Sequence, residues 1–214
     1  MVDFERARAQ MVENQLRSGG VTNAPILARM RAIKRENFVA PERRDLAYID
    51  DIQWLGDRFM AAPVTLGKLL KLAEISPTDT VLDIGAATGY STAIIAGLAA
   101  AVTGLEPDAG LAATASANLA ALGLDNASVI AGGIERLGKA RFDVIMVQGA
   151  LDSVPDAFTA ALADGGRLVA LIRTGAVSVA HVFVRSGGQV TARAEFNAVL
   201  PPLFAPQRDE EFVF

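Results

Sequence analysis

Two carboxylates and two glycines could do chemistry in this chain. The stretch Asp83-Ile84-Gly85-Ala86-Ala87-Thr88-Gly89-Tyr90 follows the apolar pair Val81-Leu82, and Val102-Thr103-Gly104-Leu105 closes on Glu106. An acid ending one strand, a glycine-bearing turn into a helix, and a second acid ending the next strand describe a βαβ unit. Both carboxylates then face one crevice. A carboxylate at Glu106 can accept the two hydroxyls of a ribose in parallel. Asp83 suits the neighbourhood of an ammonium, reached through water or backbone. Gly85 and Gly89 allow a tight turn and close backbone approach.

A dinucleotide site wants G-x-G-x-x-G, with a helix N-terminus facing the pyrophosphate. Ala87 breaks that core. S-adenosylmethionine has no phosphate to cradle; it offers an ammonium and a ribose diol, which the spacing Asp83-x-Gly85-x-x-x-Gly89 favours. A nicotinamide site and a βα turn without ligand are the alternatives. The expected cofactor contacts are Asp83, Gly85, Ala86, Ala87, Thr88, Gly89, Glu106 and Pro107. Gly133 and Ile134 join them after the third strand, and Gln148 at the end of the fourth, beside the transferable methyl.

Strand and helix periods alternate from residue 80 onward. Strands are expected at 80–84, 101–106, 127–131, 142–148 and 166–172, and helices at 90–99, 108–122 and 155–163. That alternation implies an α/β fold, a mostly parallel sheet with helices on both faces. The end differs: 179–185, the turn Gly187-Gly188 and 189–196 read as an antiparallel hairpin, bringing the sheet to about seven strands. Asp143, just before the fourth strand, reads as structural. Upstream, 3–17 is an amphipathic helix, Asn23 caps a second, and Pro63 opens a third running to about Glu74. Residues 50–62 are expected to form a loop. The chain is expected to be one domain, with 1–75 as a helical cap and acceptor-side loop and 76–214 as the sheet.

Composition narrows the function classes. The 214 residues are 51% hydrophobic, carry a net charge of −4, and include one histidine and no cysteine. Without cysteine there is no disulfide, thiolate nucleophile or cysteine–zinc site, which fits a cytoplasmic protein. His181 lies in an alternating apolar run and reads as a strand residue; no metal site is expected. An acidic balance argues against a nucleic-acid partner. No run of about 18 uncharged apolar residues suggests a membrane span, and the charged start MVDFERARAQ does not resemble a signal peptide.

Asn14-Gln15-Leu16-Arg17, Gly20-Val21, Phe38-Val39-Ala40-Pro41 and Ala47-Tyr48-Ile49-Asp50 resemble the N-terminal region of protein-L-isoaspartate O-methyltransferases. The turn at 81–90, Phe142-Asp143-Val144-Ile145-Met146-Val147 and Leu162-Ala163-Asp164-Gly165-Gly166-Arg167-Leu168-Val169 fit the same family. The resemblance covers nearly the whole chain, and its N-terminal words are its specific part. It implies a class I, Rossmann-like methyltransferase sheet that uses S-adenosylmethionine. Family members repair aged proteins by methylating the α-carboxyl of isoaspartyl residues. The expected acceptor is therefore a protein or peptide carboxylate, or a small molecule. The alternative is a binding or regulatory protein on the same fold, with acceptor activity lost or altered.

The departures from the family concern the acceptor side. The family's Gly-Gln-Thr-Ile-Ser-Gln-Pro segment, whose hydroxyls line the acceptor site, is here Asp57-Arg58-Phe59-Met60-Ala61-Ala62-Pro63. Phe59 stands for the threonine and Ala61 for the serine. The usual Gly-Asp-Gly after the third strand is Gly132-Gly133-Ile134, without its acid, and Ala87 replaces a usual glycine. Methyl transfer from a sulfonium to a carboxylate is an in-line displacement, so catalysis rests on positioning and water exclusion. Each lost hydrogen bond to a charged acceptor costs about 1.5–3 kcal/mol. Two such losses lower the expected isoaspartyl rate by powers of ten, since about 1.4 kcal/mol is tenfold. Arg58 is the candidate replacement, because a guanidinium can grip a carboxylate bidentately. Arg58, Phe59 and Ala61 are thus the acceptor-side candidates, with Trp54 beside Phe59 in a more apolar pocket; the alternatives are a solvated loop arginine at 58 and core packing of the two rings.

Overall fold

The computed structural model describes residues 2–175 and 177–204. Its centre is a seven-stranded sheet built from β3 (Thr80–Ile84), β4 (Ala101–Glu106), β5 (Ala127–Ala131), β6 (Phe142–Leu151), β7 (Leu162–Thr174), β8 (Val177–Ser186) and β9 (Gln189–Ala198), in the order β5-β4-β3-β6-β7-β8-β9. The pairs from β5 to β7 are parallel; β7–β8 and β8–β9 are antiparallel. The alternation expected from residue 80 and the terminal hairpin are both present. Gly187 and Gly188, with φ of +56° and +82°, make its turn.

The chain runs outward from β3 through β4 to β5, then crosses back to pair β6 with β3. The order therefore reverses beside β3, which opens a crevice at the carboxyl ends of β3, β4 and β6. Pairing of Ile84 with both Leu105 and Val147 sets Glu106 and Gln148 one step beyond, on either side of the β3 exit. Helices α4 (Tyr90–Ile95) and α5 (Ala109–Ala121) make the first two crossovers. The alanines of α5 let it lie close: Ala112 and Ala115 are buried with Leu119.

The N-terminal third covers the other side of the crevice. Helix α1 (Phe4–Gln10) runs into a π-helical stretch, Met11–Leu16, and the wider turn buries Met11, Val12 and Leu16 together. In α2 (Ala24–Ala32), Asn23 caps as expected, its Oδ1 accepting from the Ile26 N–H at 3.2 Å. Helix α3 (Pro63–Ala73) starts at its proline and buries Leu66, Leu69, Leu70 and Ala73. One buried cluster joins these helices to the sheet, from Met11 and Leu66 to Val81, Val144 and Val169.

Three expectations are corrected. Residues 50–62 are not simply a loop: β1 (Gln53–Leu55) and β2 (Arg58–Met60) pair antiparallel across Gly56-Asp57. The alternation is too brief for a period to show. Helix α4 ends at Ile95, with turns to Ala100, and α6 spans only Asp156–Ala160 before β7 begins at Leu162. Alanine-rich ends look helical in sequence, and tertiary pairing decides otherwise.

Candidate active site

Asp83 lies near the end of β3 with its side chain wholly buried. Ser91 Oγ and Thr92 Oγ1 each donate to its Oδ2 at 2.6 Å, and Gln148 Nε2 donates to its Oδ1 at 2.7 Å. Burial pushes this carboxyl above the usual range and Glu106 pushes it the same way, against the three donors. Asp83 therefore ties the start of α4 to the end of β6 and fixes the turn between them. Gly85, at φ +85°, and Gly89, at φ +91°, take left-handed conformations in that turn. Ala87 also does, at φ +49°; an L side chain costs about 1–2 kcal/mol there. That cost explains why a glycine suits the position.

Glu106 ends β4 and is also wholly buried. Its Oε2 accepts from the Ala87 N–H at 2.8 Å and its Oε1 from the Asp108 N–H at 3.1 Å. The sequence places Arg58 on the acceptor side; the structure brings it to Glu106. Arg58 Nη2 donates to Oε2 at 3.3 Å. Its Nε lies 3.1 Å from Oε1, an ion-pair contact without hydrogen-bond alignment. Nη1 donates to the Leu203 carbonyl at 2.8 Å. Arg58 is neither solvated nor facing a free acceptor site.

Phe59 and Ala61 line one wall of the space at the turn, with Gly85, Ala87, Tyr90 and Gln148 around it. Trp54 stands edge-on to Phe59, with ring centroids 5.7 Å apart, and is about half exposed. Thr88 turns its hydroxyl to the Phe38 carbonyl at 2.6 Å, so it joins the N-terminal cap to the turn. Pro107 follows Glu106 at the surface, and Ile134 packs beside the Ile84–Leu105 cluster. Asp143 is structural, as expected: its Oδ2 accepts from the N–H and hydroxyl of Thr80, both at 2.8 Å. His181 lies on β8, with Nδ1 2.9 Å from the Val179 carbonyl oxygen.

Three residues escape the sequence reading. Glu135 folds back over the third-strand loop, where its Oε1 accepts from the Gly133 N–H at 3.0 Å. A methyl group on Gly133 would stand 2.5 Å from Glu135 Oε2, so a carboxylate lies beside the place of the missing acid. The available signal is an acid displaced by two positions. Arg35 is fully buried over the Tyr90 ring, 4.8 Å from its centroid, and donates to the Ala47 and Ala61 carbonyls at 2.8 Å each. It couples the acceptor segment to the turn, yet in Lys34-Arg35-Glu36 it looks like any surface charge. Leu203 packs over Gly85 from the far end of the chain, and nothing local marks it.

Two buried carboxylates, Asp83 and Glu106, thus stand beside the topological switch point of a mostly parallel sheet. The model of the protein-L-isoaspartate (D-aspartate) O-methyltransferase family matches residues 6–207. The chain belongs to that family. A protein-L-isoaspartate O-methyltransferase of Koribacter versatilis is 36% identical over 210 residues, covering 97% of this chain and 95% of the relative. One from Methanoregula boonei is 36% identical over 186 residues, 85% of each chain. The fold agrees with a Plasmodium falciparum protein described under the same activity and solved with S-adenosyl-L-homocysteine. There the TM-score is 0.80 at 21% identity, over 92% of this chain and 98% of that one. This isoaspartyl methyltransferase relative is an S-adenosylmethionine-dependent methyltransferase, as the family is.

The residue types fit that cofactor in a buried carboxylate suited to a diol and left-handed glycines at the turn, while Asp83 has its two oxygens engaged by Ser91, Thr92 and Gln148. The space at the turn is too small for it. The enclosed volume is about 10 Å³, near that of one water, while ligand pockets run to about 300 Å³ and more. What fills the cradle is the chain itself. A methyl group on Gly85 would meet Leu203 Cδ1 at 2.6 Å and Arg58 Nη2 at 2.9 Å.

Proposed function

We propose that this family member transfers the methyl group of S-adenosylmethionine to a carboxylate on a protein or peptide, with low turnover on isoaspartyl acceptors. When bound, the cofactor supplies an electrophilic methyl on a sulfonium; the acceptor carboxylate is already a nucleophile, so no general base is required. The chain's own task is positioning. Glu106 would hold the ribose hydroxyls. Asp83 keeps the turn and Gln148 in place through its three hydrogen bonds, and Gly85, Ala86, Ala87, Thr88 and Gly89 form the floor. Pro107, Gly133 and Ile134 would flank the adenine.

The observation that supports low isoaspartyl turnover is the wall made by Phe59 and Ala61. Both are buried at the turn and neither has a side-chain donor. A carboxylate brought there without partners is costly to desolvate. Arg58 is the nearby cation that can meet it. The test is a methyl-release assay on an isoaspartyl peptide beside S-adenosylhomocysteine titration. Cofactor binding with slow methylation is expected. Fast methylation refutes the acceptor reading, and no binding refutes the cofactor reading. No helix among the described residues is long and apolar enough to cross a membrane. We read the protein as cytoplasmic, which fractionation of the host cell tests.

A further inference from the structure

We propose that Arg58 is a two-position residue, holding Glu106 and the strap of residues 201–203 while the cofactor site is closed and binding the acceptor carboxylate once the cofactor has entered. This rests on the function proposed above. A carboxylate offers about four lone-pair positions. At Glu106 two are taken by the Ala87 and Asp108 amides, and the guanidinium of Arg58 covers the remaining side of both oxygens. Three positions carry hydrogen bonds and the fourth, on Oε1, faces the Arg58 Nε at 3.1 Å, which leaves too little for the two hydroxyls of a ribose diol. A ribose reaches Glu106 only when the guanidinium leaves.

The same guanidinium holds the strap. Arg58 Nη1 donates to the Leu203 carbonyl, and the strap is paired to β6 by Leu203 N–H to the Ala150 carbonyl and Ala150 N–H to the Pro201 carbonyl, both at 2.9 Å. Leu203 is buried against Gly149, where a side chain would come within 2.9 Å of the Leu203 Cα. Its Cδ1 and the Arg58 guanidinium stand together over Gly85. Removing Arg58 therefore takes away the side-chain bond to the Leu203 carbonyl and one of the two groups over Gly85, leaving the strap on its two backbone bonds to Ala150.

The displaced cation stays near the chemistry, because β2 carries it next to Phe59 and Ala61, which line the turn. Glu106 is its only salt-bridge partner among the described residues. With Glu106 given to the ribose, the guanidinium lacks a counter-ion, and an acceptor carboxylate supplies one. Binding becomes ordered, cofactor first and acceptor second. The loop that lost its hydroxyls has in exchange a charge that is presented only when a methyl donor is in place.

The experiment is calorimetric titration of S-adenosylhomocysteine into the full chain, Arg58→Gln and Leu203→Ala, with melting curves to confirm that each folds. Arg58→Gln is expected to tighten binding at least about tenfold, because it has no ion pair to open; Leu203→Ala, which keeps that pair and the carbonyl that Arg58 bonds, is expected to tighten it by less, through the uncovered turn alone. Hydrogen exchange at the Ala150 and Leu203 amides is expected to quicken in Arg58→Gln without any ligand. A short isoaspartyl peptide is then titrated with and without S-adenosylhomocysteine. The parent is expected to bind it more tightly when loaded, and Arg58→Gln to lose that difference. Equal or weaker S-adenosylhomocysteine binding by the folded variants overturns the proposal and leaves the cofactor reading standing. So does peptide binding indifferent to the cofactor. Binding by neither parent nor variants overturns both.

Discussion

The ion pair between Arg58 and Glu106 can be weighed by a double-mutant cycle. Glu106 is wholly buried and Arg58 nearly so, with its side chain 14% exposed. Breaking a buried pair from one side leaves an uncompensated charge and costs about 3–5 kcal/mol, whereas removing both partners can be nearly neutral. The partial exposure of Arg58 and its bond to Leu203 place this pair at the low end. Glu106→Gln keeps an acceptor for one backbone amide, so its expected cost is about 3 kcal/mol. Arg58→Met keeps most of the stem and leaves Glu106 with two amide donors, for about 2–3 kcal/mol. The double variant is expected near 3 kcal/mol rather than the sum, a coupling of about 2–3 kcal/mol. Urea unfolding with an unchanged m-value is the assay. The same four proteins separate stability from binding: Glu106→Gln should weaken S-adenosylhomocysteine more in the Arg58→Met background, where no pair has to open first. Single effects that add within about 0.5 kcal/mol would show that the pair does not form in solution.

The sheet was legible because each of its signals is local. Val81-Leu82-Asp83 and Leu105-Glu106 announce strand ends, and the run from Thr80 to Ile172 keeps a strand–helix alternation that one topology satisfies. The convergence of the candidate residues was legible for the same reason: Asp83, Glu106 and Gln148 lie side by side because β3, β4 and β6 are parallel and in register at the switch point, although β6 runs on to Leu151. What stayed hidden depends on contacts far apart in sequence. Arg58 could be weighed only as a loop arginine or an acceptor ligand, because its real partners are 48 and 145 positions away. Leu203 fills the cradle of Gly85, more than half the chain away, and no periodicity records that. Arg35 carries a cation into the core with carbonyls and a ring as partners, an arrangement that composition argues against. The hairpin at β1 and β2 was missed because three-residue strands are too short for alternation to be counted.

Phe59→Thr/Ala61→Ser is expected to raise kcat/KM on an isoaspartyl peptide at least about tenfold, since each restored hydrogen bond to a charged group contributes about 1.5–3 kcal/mol. The loss of a buried ring packed on Trp54 lowers stability, so the rates are compared well below the melting temperature; parent activity that is already high and does not improve would refute this reading of the loop. Glu135→Ala is expected to weaken S-adenosylhomocysteine by about 1–2 kcal/mol and to leave binding of the adenine-free homocysteine portion untouched. Equal affinity in the parent and in the Glu135→Ala variant would leave that carboxylate no part in holding adenine. The last expectation concerns acid stability. The Thr80 N–H and hydroxyl, assisted by Arg167, hold the Asp143 carboxyl below its usual range. A depressed folded pKa means that the unfolded chain takes up the proton first, so the contribution of Asp143 is complete above its unfolded value and disappears as pH falls through the folded one. Parent and Asp143→Asn should therefore differ in unfolding free energy at neutral pH, and the gap should close below about pH 4, where unfolded carboxyls protonate. A gap that persists unchanged into that acid range would mean that packing around the β3–β6 junction, not the charge on Asp143, makes the difference.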